Sequence, residues 1–374
     1  MEANDSKFEI AVRTCPSYDP AAVEEAVAAL VSDLGGVESF VTPGRTVLLK
    51  PNLLAGEPPE RAVTTHPEVV RAAAKILAPP GGRILVGDSP GVGSCRKAAE
   101  RAGVAAAARA TGAELVEFAE VARIGPADGR RFPVAAEVAA ADLLVNLPKL
   151  KTHRMMVLSG AVKNLFGCLV GLRKAGYHLE CQGTEAFARL LLELAAAVAP
   201  RLTIVDGVVG MDGPGPRHGR PRPVGILVAG RDALAVDFVL ADLVGFPVED
   251  VPHLRLAREM GLPAADPARR VILGEDPFRI RLRDFAPPPR LRANDFAAPR
   301  GLLDFIRRNL LERPRIGRNC RNCGICATVC PAGAIRAGRR RAAIDEGKCI
   351  RCYCCDEMCP HGAVALVRGV FGRF

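Results

Sequence analysis

Eight cysteines near the C-terminus form two copies of one pattern, Cys-x2-Cys-x2-Cys-x3-Cys-Pro. The first copy begins at Cys320 and the second at Cys349, so the two align with a period of 29 residues. Three closely spaced thiolates suit three irons of one [4Fe–4S] cubane, and the fourth cysteine, ahead of a proline that turns the chain, reaches the other cluster. The pattern therefore predicts two [4Fe–4S] clusters and a protein that handles electrons.

The predicted ligands are shared crosswise between the two copies. One cluster is assigned to Cys320, Cys323, Cys326 and Cys359, and the second to Cys349, Cys352, Cys355 and Cys330. Zinc ribbons or disulfides are the alternatives, but a four-cysteine run that is duplicated and closed by proline each time argues against both. Cys354 falls outside the spacing and is interpreted as a non-ligand. Residues 318–367 resemble bacterial two-cluster ferredoxins.

Polar side chains, many of them basic, are concentrated farther upstream, where predicted strands end. They are Lys50, Asn52, Ser89, Gly91, Lys149, Lys151, His153, Lys163 and His218. In an open parallel sheet the carboxyl ends of the strands form the ligand crevice, so these residues are expected to converge on one site. Because the charge there is mostly cationic, the expected ligand is a small anion that carries a carboxylate or phosphate.

Two roles are predicted within this crevice. The candidates for catalysis are His153, Lys151, Lys163 and His218, the histidines because imidazole titrates near neutral pH. The candidates for binding an anionic ligand or a flavin are Lys50, Asn52, Ser89, Gly91 and Lys149. The loop 87–94 leads into a helix whose first amides suit an oxyanion, but Arg96 occupies the third glycine position of the dinucleotide fingerprint. The alternative is that each lysine is a solvated surface charge.

Six apolar runs predict the strands that would position these residues. They cover 46–50, 83–87, 114–118, 142–146, 202–206 and 225–229. Nearly continuous apolar runs are typical of strands covered on both faces, which predicts an α/β fold with a mostly parallel sheet and flanking helices. The predicted division is an α/β domain over 1–285 with its core at 45–275, a Pro/Arg-rich linker with a short helix over 286–317, and a small α+β ferredoxin-like domain over 318–374.

The segments KPN, THP, GDSPG, PKLKTH, SGAVKNLFG and DGVVGMDGPGP resemble the domain-of-unknown-function 362 family over residues 45–275. Members of that family frequently carry an appended ferredoxin module. The resemblance implies an iron–sulfur protein with a redox role, and it supplies no established catalytic residues.

Composition limits the partners and the compartment. The formal charge of +10 suggests an anionic partner, but the chain has three Tyr and no Trp, which disfavours nucleic acid. We expect neither a signal peptide nor a membrane span, because the N-terminus is polar and the apolar stretches are short or interrupted. Thirteen cysteines, eight of them at metal-ligand spacing, indicate a reducing, cytoplasmic setting. The expected partner is an electron donor or acceptor protein such as a ferredoxin or reductase.

The leading hypothesis is an oxidoreductase that passes electrons through the two clusters to or from an anionic substrate or cofactor in the basic crevice. One alternative is a non-enzymatic electron-transfer or scaffold subunit whose large domain docks a redox partner. Another is a transferase or ligase that uses the clusters structurally.

Overall fold

The computed structural model describes residues 7–171, 173–277, 279–289 and 312–367. In chain order the described strands are β1 (Phe8–Thr14), β2 (Thr46–Pro51), β3 (Arg83–Val86), β4 (Glu114–Leu115), β5 (Val121–Ile124), β6 (Phe132–Ala135), β7 (Leu143–Leu147), β8 (Lys149–His153), β9 (Val157–Ser159), β10 (Leu202–Asp212), β11 (Arg220–Gly230), β12 (Arg270–Gly274), β13 (Arg313–Ile316), β14 (Ile335–Arg336), β15 (Ala343–Ile344) and β16 (Val364–Val367).

The described helices are α1 (Pro20–Asp33), α2 (Pro67–Ile76), α3 (Cys95–Arg101), α4 (Val104–Ala110), α5 (Ala136–Ala140), α6 (Ala161–Asn164), α7 (Arg173–Glu180), α8 (Thr184–Val198), α9 (Ala233–Val244), α10 (Pro252–Glu259), α11 (Ile325–Thr328) and α12 (Cys354–Met358). In that same part of the chain, none of the helices combines the length and the apolarity needed to cross a bilayer.

A ten-stranded mixed sheet organises the larger part of the chain, in the order β12-β1-β11-β10-β7-β2-β3-β4, with β8 and β9 attached beside β10. Within this order the consecutive strands β10, β7, β2, β3 and β4 run parallel to one another. The predicted mostly parallel sheet is therefore confirmed. One difference is β11, at the predicted run 225–229, which is antiparallel to both β10 and β1 because the chain doubles back directly after β10.

Helices cover both faces of this sheet. The apolar sides of α1 to α4 form one core, and those of α6, α8, α9 and α10 form the other. Successive strand residues point to opposite faces, so Val47 and Leu49 enter the first core while Leu48 enters the second. This double coverage explains why the strands are nearly continuous apolar runs.

Two parts of the sequence fold differently from their prediction. The run 114–118 contributes only Glu114–Leu115 to the sheet. The segment 149–153, expected as a loop, is the buried strand β8, which pairs with β10 and β9. Its two lysines are compatible with burial because Asp206 pairs with Lys149, and Asn52 accepts a hydrogen bond from Lys151.

The cysteine-rich part is a small module of four short strands and two short helices within its described residues. The 29-residue period extends to the backbone, because Asn322 and Arg351 have φ of 52° and 56°, and Gly333 and Gly362 have φ of 57° and 55°. The helices α11 and α12 occupy equivalent places in the two copies. The duplication in sequence is thus a duplication in structure.

The segment predicted as a linker, 286–317, ends inside this module. Its strand β13 pairs antiparallel with β16, which ties the incoming chain to the last described strand. The helix predicted at 302–311 lies outside the described residues.

Candidate functional site

A cavity of about 110 Å³ lies where the carboxyl ends of the central strands meet the cysteine-rich module. The α/β part lines it with mostly polar and cationic residues, among them Asn52, Asp88, Ser89, Lys151, His153, Ser159, Lys163, Asn164, Lys174 and His178. The module closes the other side with Val329, Cys354, Glu357 and Met358. We call this site the junction cavity.

Three elements position its cationic groups. The strand β8 carries Lys151 and His153, which point to the same side because they are two residues apart. The short helix α6 carries Lys163. The helix α7 carries Lys174 and His178, four residues apart and therefore on one face.

A buried carboxylate anchors α6. Asp237 accepts hydrogen bonds from the backbone N–H of Ala161 at 2.6 Å and of Val162 at 3.0 Å. Its Oδ2 also lies 3.0 Å from Nε2 of His253. A carboxylate at these free amides fixes the start of the helix, and with it the backbone of Lys163.

Lys151 is the most deeply buried cation of the junction cavity. Its Nζ donates to Oδ1 of Asn52 at 2.7 Å and to the carbonyl of Val63 at 2.6 Å. Burial lowers the pKa of Lys151 to about 7, and the charge of Lys163 acts in the same direction. The group therefore changes its charge near neutral pH.

Lys163 and Lys174 are held differently. Nζ of Lys163 lies 4.9 Å from the ring centre of Phe166 and 5.8 Å from that of Phe187, an arrangement in which the rings stabilise the cation without accepting a hydrogen bond. Burial lowers its pKa. Lys174 donates to the carbonyl and to Oγ of Ser89 and to the carbonyl of Pro90, and burial lowers its pKa to about 8.

His153 bridges the two parts of the chain. Its Nδ1 accepts from the backbone N–H of Met155 and of Met156, both at 3.2 Å, which leaves the proton on Nε2. Nε2 lies 3.1 Å from Oε1 of Glu357 in the module. Burial lowers the pKa of His153, against the pull of Glu357. Burial raises the pKa of Glu357, but the attraction of His153, Lys163 and His178 outweighs it and holds that pKa at about 2.

His178 contributes an aromatic wall. Its ring stacks on Phe187 with centroids 4.4 Å apart and meets the ring of Phe166 edge to face at 5.7 Å. Burial lowers its pKa to about 4, so the ring is neutral at pH 7. Among the described residues, no group forms a hydrogen bond with its Nδ1.

A chain of amides orients the polar floor. Nδ2 of Asn52 donates to Oδ1 of Asn164, and Nδ2 of Asn164 donates to Oδ1 of Asn146, both at 2.8 Å. Nδ2 of Asn146 donates in turn to the carbonyl of Ala161 at 3.0 Å. Because the amino group of Asn52 donates to Asn164, its side-chain oxygen is left to face Lys151.

The structure brings six of the nine predicted crevice residues to the junction cavity. They are Asn52, Ser89, Gly91, Lys151, His153 and Lys163. Lys50 lies just beneath the wall, where it forms a buried ion pair of 2.8 Å with Asp88. His218 is not among the residues that line the cavity, and its Nε2 lies 3.0 Å from the carbonyl of Asp356 in the module. Its catalytic role stays a prediction.

Lys149 also lies outside the cavity, because it points to a separate buried group. Its Nζ donates to the hydroxyl of Tyr18 at 2.7 Å and to Asp206 at 2.8 Å, and the ring of Tyr18 stacks on His66. An oxyanion was expected at the first amides of α3, but a carboxylate of the protein itself occupies that place. Glu117 accepts hydrogen bonds from the N–H of Cys95 and of Arg96. Both groups therefore have partners within the protein.

Several lining residues have no counterpart in the sequence-based prediction. Lys174 and His178 sit at helical spacing in 173–180, and that spacing was a usable signal. The contribution of Glu357 and Met358 had no such signal, because it depends on how the module docks.

Docking of the module uses buried charge and a close backbone approach. Nε of Arg154 donates to Asp356 at 2.9 Å, and Nη1 of Arg217 donates to the carbonyl of Met358 at 2.8 Å. A Cβ at Gly91 would lie 2.4 Å from Sδ of Met358, so a larger residue there would force that flexible side chain to move. The glycine read as part of an anion loop thus also admits the module.

Each predicted ligand set of four cysteines lines its own small cavity in the module. Cys320, Cys323, Cys326 and Cys359 surround one, and Cys330, Cys349, Cys352 and Cys355 surround the other. Within the described ranges no three His, Cys, Asp or Glu side chains come close enough to share a single metal ion. Cys323 is exposed and Cys355 is buried, so the first set is the more open to solvent.

Backbone donors point at the sulfurs of these sets. The N–H of Ala334 lies 3.3 Å from Sγ of Cys330, and the N–H of Ala363 lies 3.2 Å from Sγ of Cys359. These two contacts are equivalent in the duplication. N–H donors stabilise thiolate charge and tune the reduction potential of iron–sulfur centres. Four thiols around each cavity, with such donors, fit a [4Fe–4S] cluster.

Comparisons with known proteins agree with this architecture. Residues 47–242 match the family described as Domain of unknown function (DUF362), and residues 319–363 match the 4Fe-4S dicluster domain. Over 289 residues the chain is 38% identical to the thylakoid-associated protein sll1697 of Synechocystis sp. (strain ATCC 27184 / PCC 6803 / Kazusa). The aligned region covers 76% of this chain and 89% of that protein.

Among solved structures, the lactate racemase apoprotein from Thermoanaerobacterium thermosaccharolyticum aligns with 64% of this chain and 59% of its own, at 12% identity and a TM-score of 0.39. That similarity carries no argument about function. The family match and the curated relative establish the family: this chain is an iron–sulfur protein of the domain-of-unknown-function 362 family that carries a C-terminal 4Fe–4S dicluster domain.

Proposed function

We propose that the chain is an oxidoreductase that exchanges electrons with an anionic substrate, or with an anionic organic cofactor such as a flavin, in the junction cavity. The observation that carries the proposal is the double lining of this cavity. Lysines of the α/β part form one side, and the helix that bears Cys355 forms the other. When bound, each [4Fe–4S] cluster accepts and releases one electron at a time.

The two cysteine sets suggest where electrons enter and where they leave. The set with the exposed Cys323 faces solvent, where a partner protein has access. The second set approaches the junction cavity, because Cys354 lines both that cavity and the one bounded by Cys352 and Cys355. The predicted second cluster site and the ligand site thus share Cys354 as a wall residue.

The cavity residues support anion binding and proton supply. Lys163 and Lys174 offer ammonium groups, and Asn52 and Asn164 offer fixed amide dipoles beside them. Lys151, with its pKa near 7, is suited to give or take the proton that accompanies an electron. In the reducing direction an external protein donor is oxidised, the bound ligand gains the electrons, and Lys151 relays protons from solvent. The proposed compartment is the cytoplasm, which keeps thiols reduced.

The test is electron paramagnetic resonance of the anaerobically reduced holoprotein, with and without small carboxylates, phosphates or flavins. We expect an effective ligand to perturb the signal of the cluster assigned to Cys349, Cys352, Cys355 and Cys330, and to leave the other signal unchanged. Ligand turnover with a reduced donor would establish the enzyme. Binding of a protein partner, with no small ligand that changes either signal, would instead support the electron-transfer or scaffold subunit.

A further inference from the structure

The solvent-exposed side of the module carries a concentrated positive charge. Between residues 315 and 344 the chain contains seven arginines and neither Asp nor Glu. All seven are exposed: Arg315, Arg318, Arg321, Arg336, Arg339, Arg340 and Arg341. In the described structure, the carboxylates of the module form their ion pairs with Arg154, His153 and Arg313, and with none of the seven.

Part of this charge is held beside the more open cysteine set. Arg321 and Ala342 line the cavity that Cys323 bounds. Nδ2 of Asn322 donates to the carbonyl of Gly338 at 2.9 Å, so the turn between β14 and β15 packs against the loop that contains Cys323. That turn carries Arg339, Arg340 and Arg341. We call these three residues with Arg318 and Arg321 the arginine face.

The geometry points to the arginine face as the docking surface for an acidic redox protein, one whose surface carboxylates surround its own electron-transfer centre. The inference rests on the proposed function, and it names the chemistry of the partner and the place of contact. Opposite charge steers such encounters and raises association rates by about 10- to 1000-fold at low salt. Docking here would bring the partner to the exposed Cys323.

Other anionic partners fit this face less well. Residues 315–344 contain no Phe, Tyr, Trp or His, so stacking on bases is not available. The large apolar side chains that are exposed in the described structure, Val121, Leu179 and Met260, all lie outside the module. An amphipathic surface for a lipid bilayer is therefore not formed by the described residues of this face.

The experiment measures binding of the oxidised holoprotein to two acidic probes, a [2Fe–2S] ferredoxin and a flavodoxin, from about 20 mM to about 500 mM salt, a range over which screening becomes strong. We expect R339E/R340E to weaken binding at least tenfold at low salt and the difference to vanish at high salt. The matched control is R109E/R123E, which reverses two exposed arginines outside the module. It should bind like the parent.

Binding of both probes that is insensitive to salt or to R339E/R340E would overturn the inference, as would failure of both probes to bind. If the same variant abolishes tighter binding to random duplex DNA or to phosphatidylserine vesicles, the face belongs to that partner instead. Anion binding in the junction cavity, measured on the same variants, reports on the proposed function separately. Failure of the parent protein to bind an anion in the junction cavity would contradict the proposed function. Failure of the docking test alone would not.

Discussion

At the scale of single residues, Lys163 is the cation best placed to meet a ligand. Its ammonium rests against two phenylalanine rings, whereas Lys151 and Lys174 are engaged by oxygen acceptors. We expect Lys163→Met to weaken binding of phosphate or acetate about tenfold or more, the loss typical of a hydrogen bond to a charged group. Calorimetric titration measures it, and iron content should stay unchanged.

The matched control is Lys75→Met, because Lys75 is an exposed lysine of α2 that pairs with Glu24 of α1. That change should leave anion affinity as it is. Equal anion affinities in the parent protein and in the Lys163→Met variant would show that Lys163 does not contribute to anion binding.

Lys151 makes a pH dependence predictable. Its pKa is lowered to about 7, first by burial and then by Lys163, so the ammonium is present below pH 7 and is lost above it. Glu357 and Asp88 pull the pKa the other way, and Lys149 adds to the lowering. Between about pH 6 and pH 8 the charged fraction falls roughly tenfold, so anion affinity should fall with it.

The measurement is the dissociation constant of a fully ionised anion such as sulfate across this range. Lys151→Met should bind more weakly at pH 6 and show a flatter profile. An affinity that rises with pH, or an unchanged slope in the variant, would contradict the role given to Lys151.

Residue chemistry was partly predictable from the sequence. The lysines of PKLKTH and SGAVKN could be placed near one another, because segments at the ends of parallel strands converge. Lys149 shows why the rest could not: on a regular strand Lys149 and Lys151 would face the same side, but the pairing of β8 with β10 shifts register between them, so Lys149 meets Asp206 while Lys151 meets Asn52. Asp206, the partner of Lys149, lies far away in sequence.

At the scale of elements, the contact between the loop 87–94 and α12 decides whether the junction cavity is closed. Gly91 leaves space for Met358, and its N–H donates to the carbonyl of Leu54 at 2.5 Å. We expect Gly91→Val to displace the module, at a cost of about 1 to 3 kcal/mol for overpacking. Anion affinity should fall, and the module should become more sensitive to limited proteolysis.

Because the clash is with one flexible side chain, Met358→Ala should partly rescue the Gly91→Val variant. Such a double-mutant cycle separates a direct contact from general destabilisation. Gly176→Ala serves as the control, since a Cβ at Gly176 meets no atom within 4 Å. Additive effects of Gly91→Val and Met358→Ala would show that the two residues do not act through each other.

The elements themselves were largely foreseeable. Runs such as Thr46–Pro51 and Leu143–Leu147 are mostly apolar, a pattern typical of strands covered on both faces. The strands β1 and β12 were not predicted, although they form one edge of the sheet. Pairing between segments so distant in sequence depends on the assembled sheet, so the local sequence pattern does not predict it.

At the scale of the whole molecule, the crosswise assignment of ligands is open to direct test. Cys330 lines the same cavity as Cys349 and Cys352, while Cys359 lines the cavity of the first set. We expect Cys330→Ser to change the resonance of one cluster and Cys359→Ser to change the other, because each variant removes one thiolate from one cluster. About eight irons per chain are expected for two cubanes.

The measurement combines iron and sulfide analysis with electron paramagnetic resonance after anaerobic reduction. Cys354→Ala is the matched control, since this thiol lies beside the second set but outside the repeated spacing, and it should retain the full iron content. Four or fewer irons in fully loaded parent protein would refute two clusters. Identical spectral changes in the two serine variants would refute the crosswise arrangement.

The duplication within the module has a consequence for directionality. Its two halves share a backbone, down to the left-handed residues Gly324 and Tyr353 that precede α11 and α12, so an isolated module would present two similar faces. Here the α/β part covers one half, and in that half Tyr353 stands where the other has glycine, its hydroxyl bound to the carbonyl of Glu312. Burial of the second half against the α/β part breaks the pseudo-symmetry, so among the eight cysteines of the repeat only Cys323 of the first half is exposed, and under the proposed function that half would be the one that a partner protein reaches.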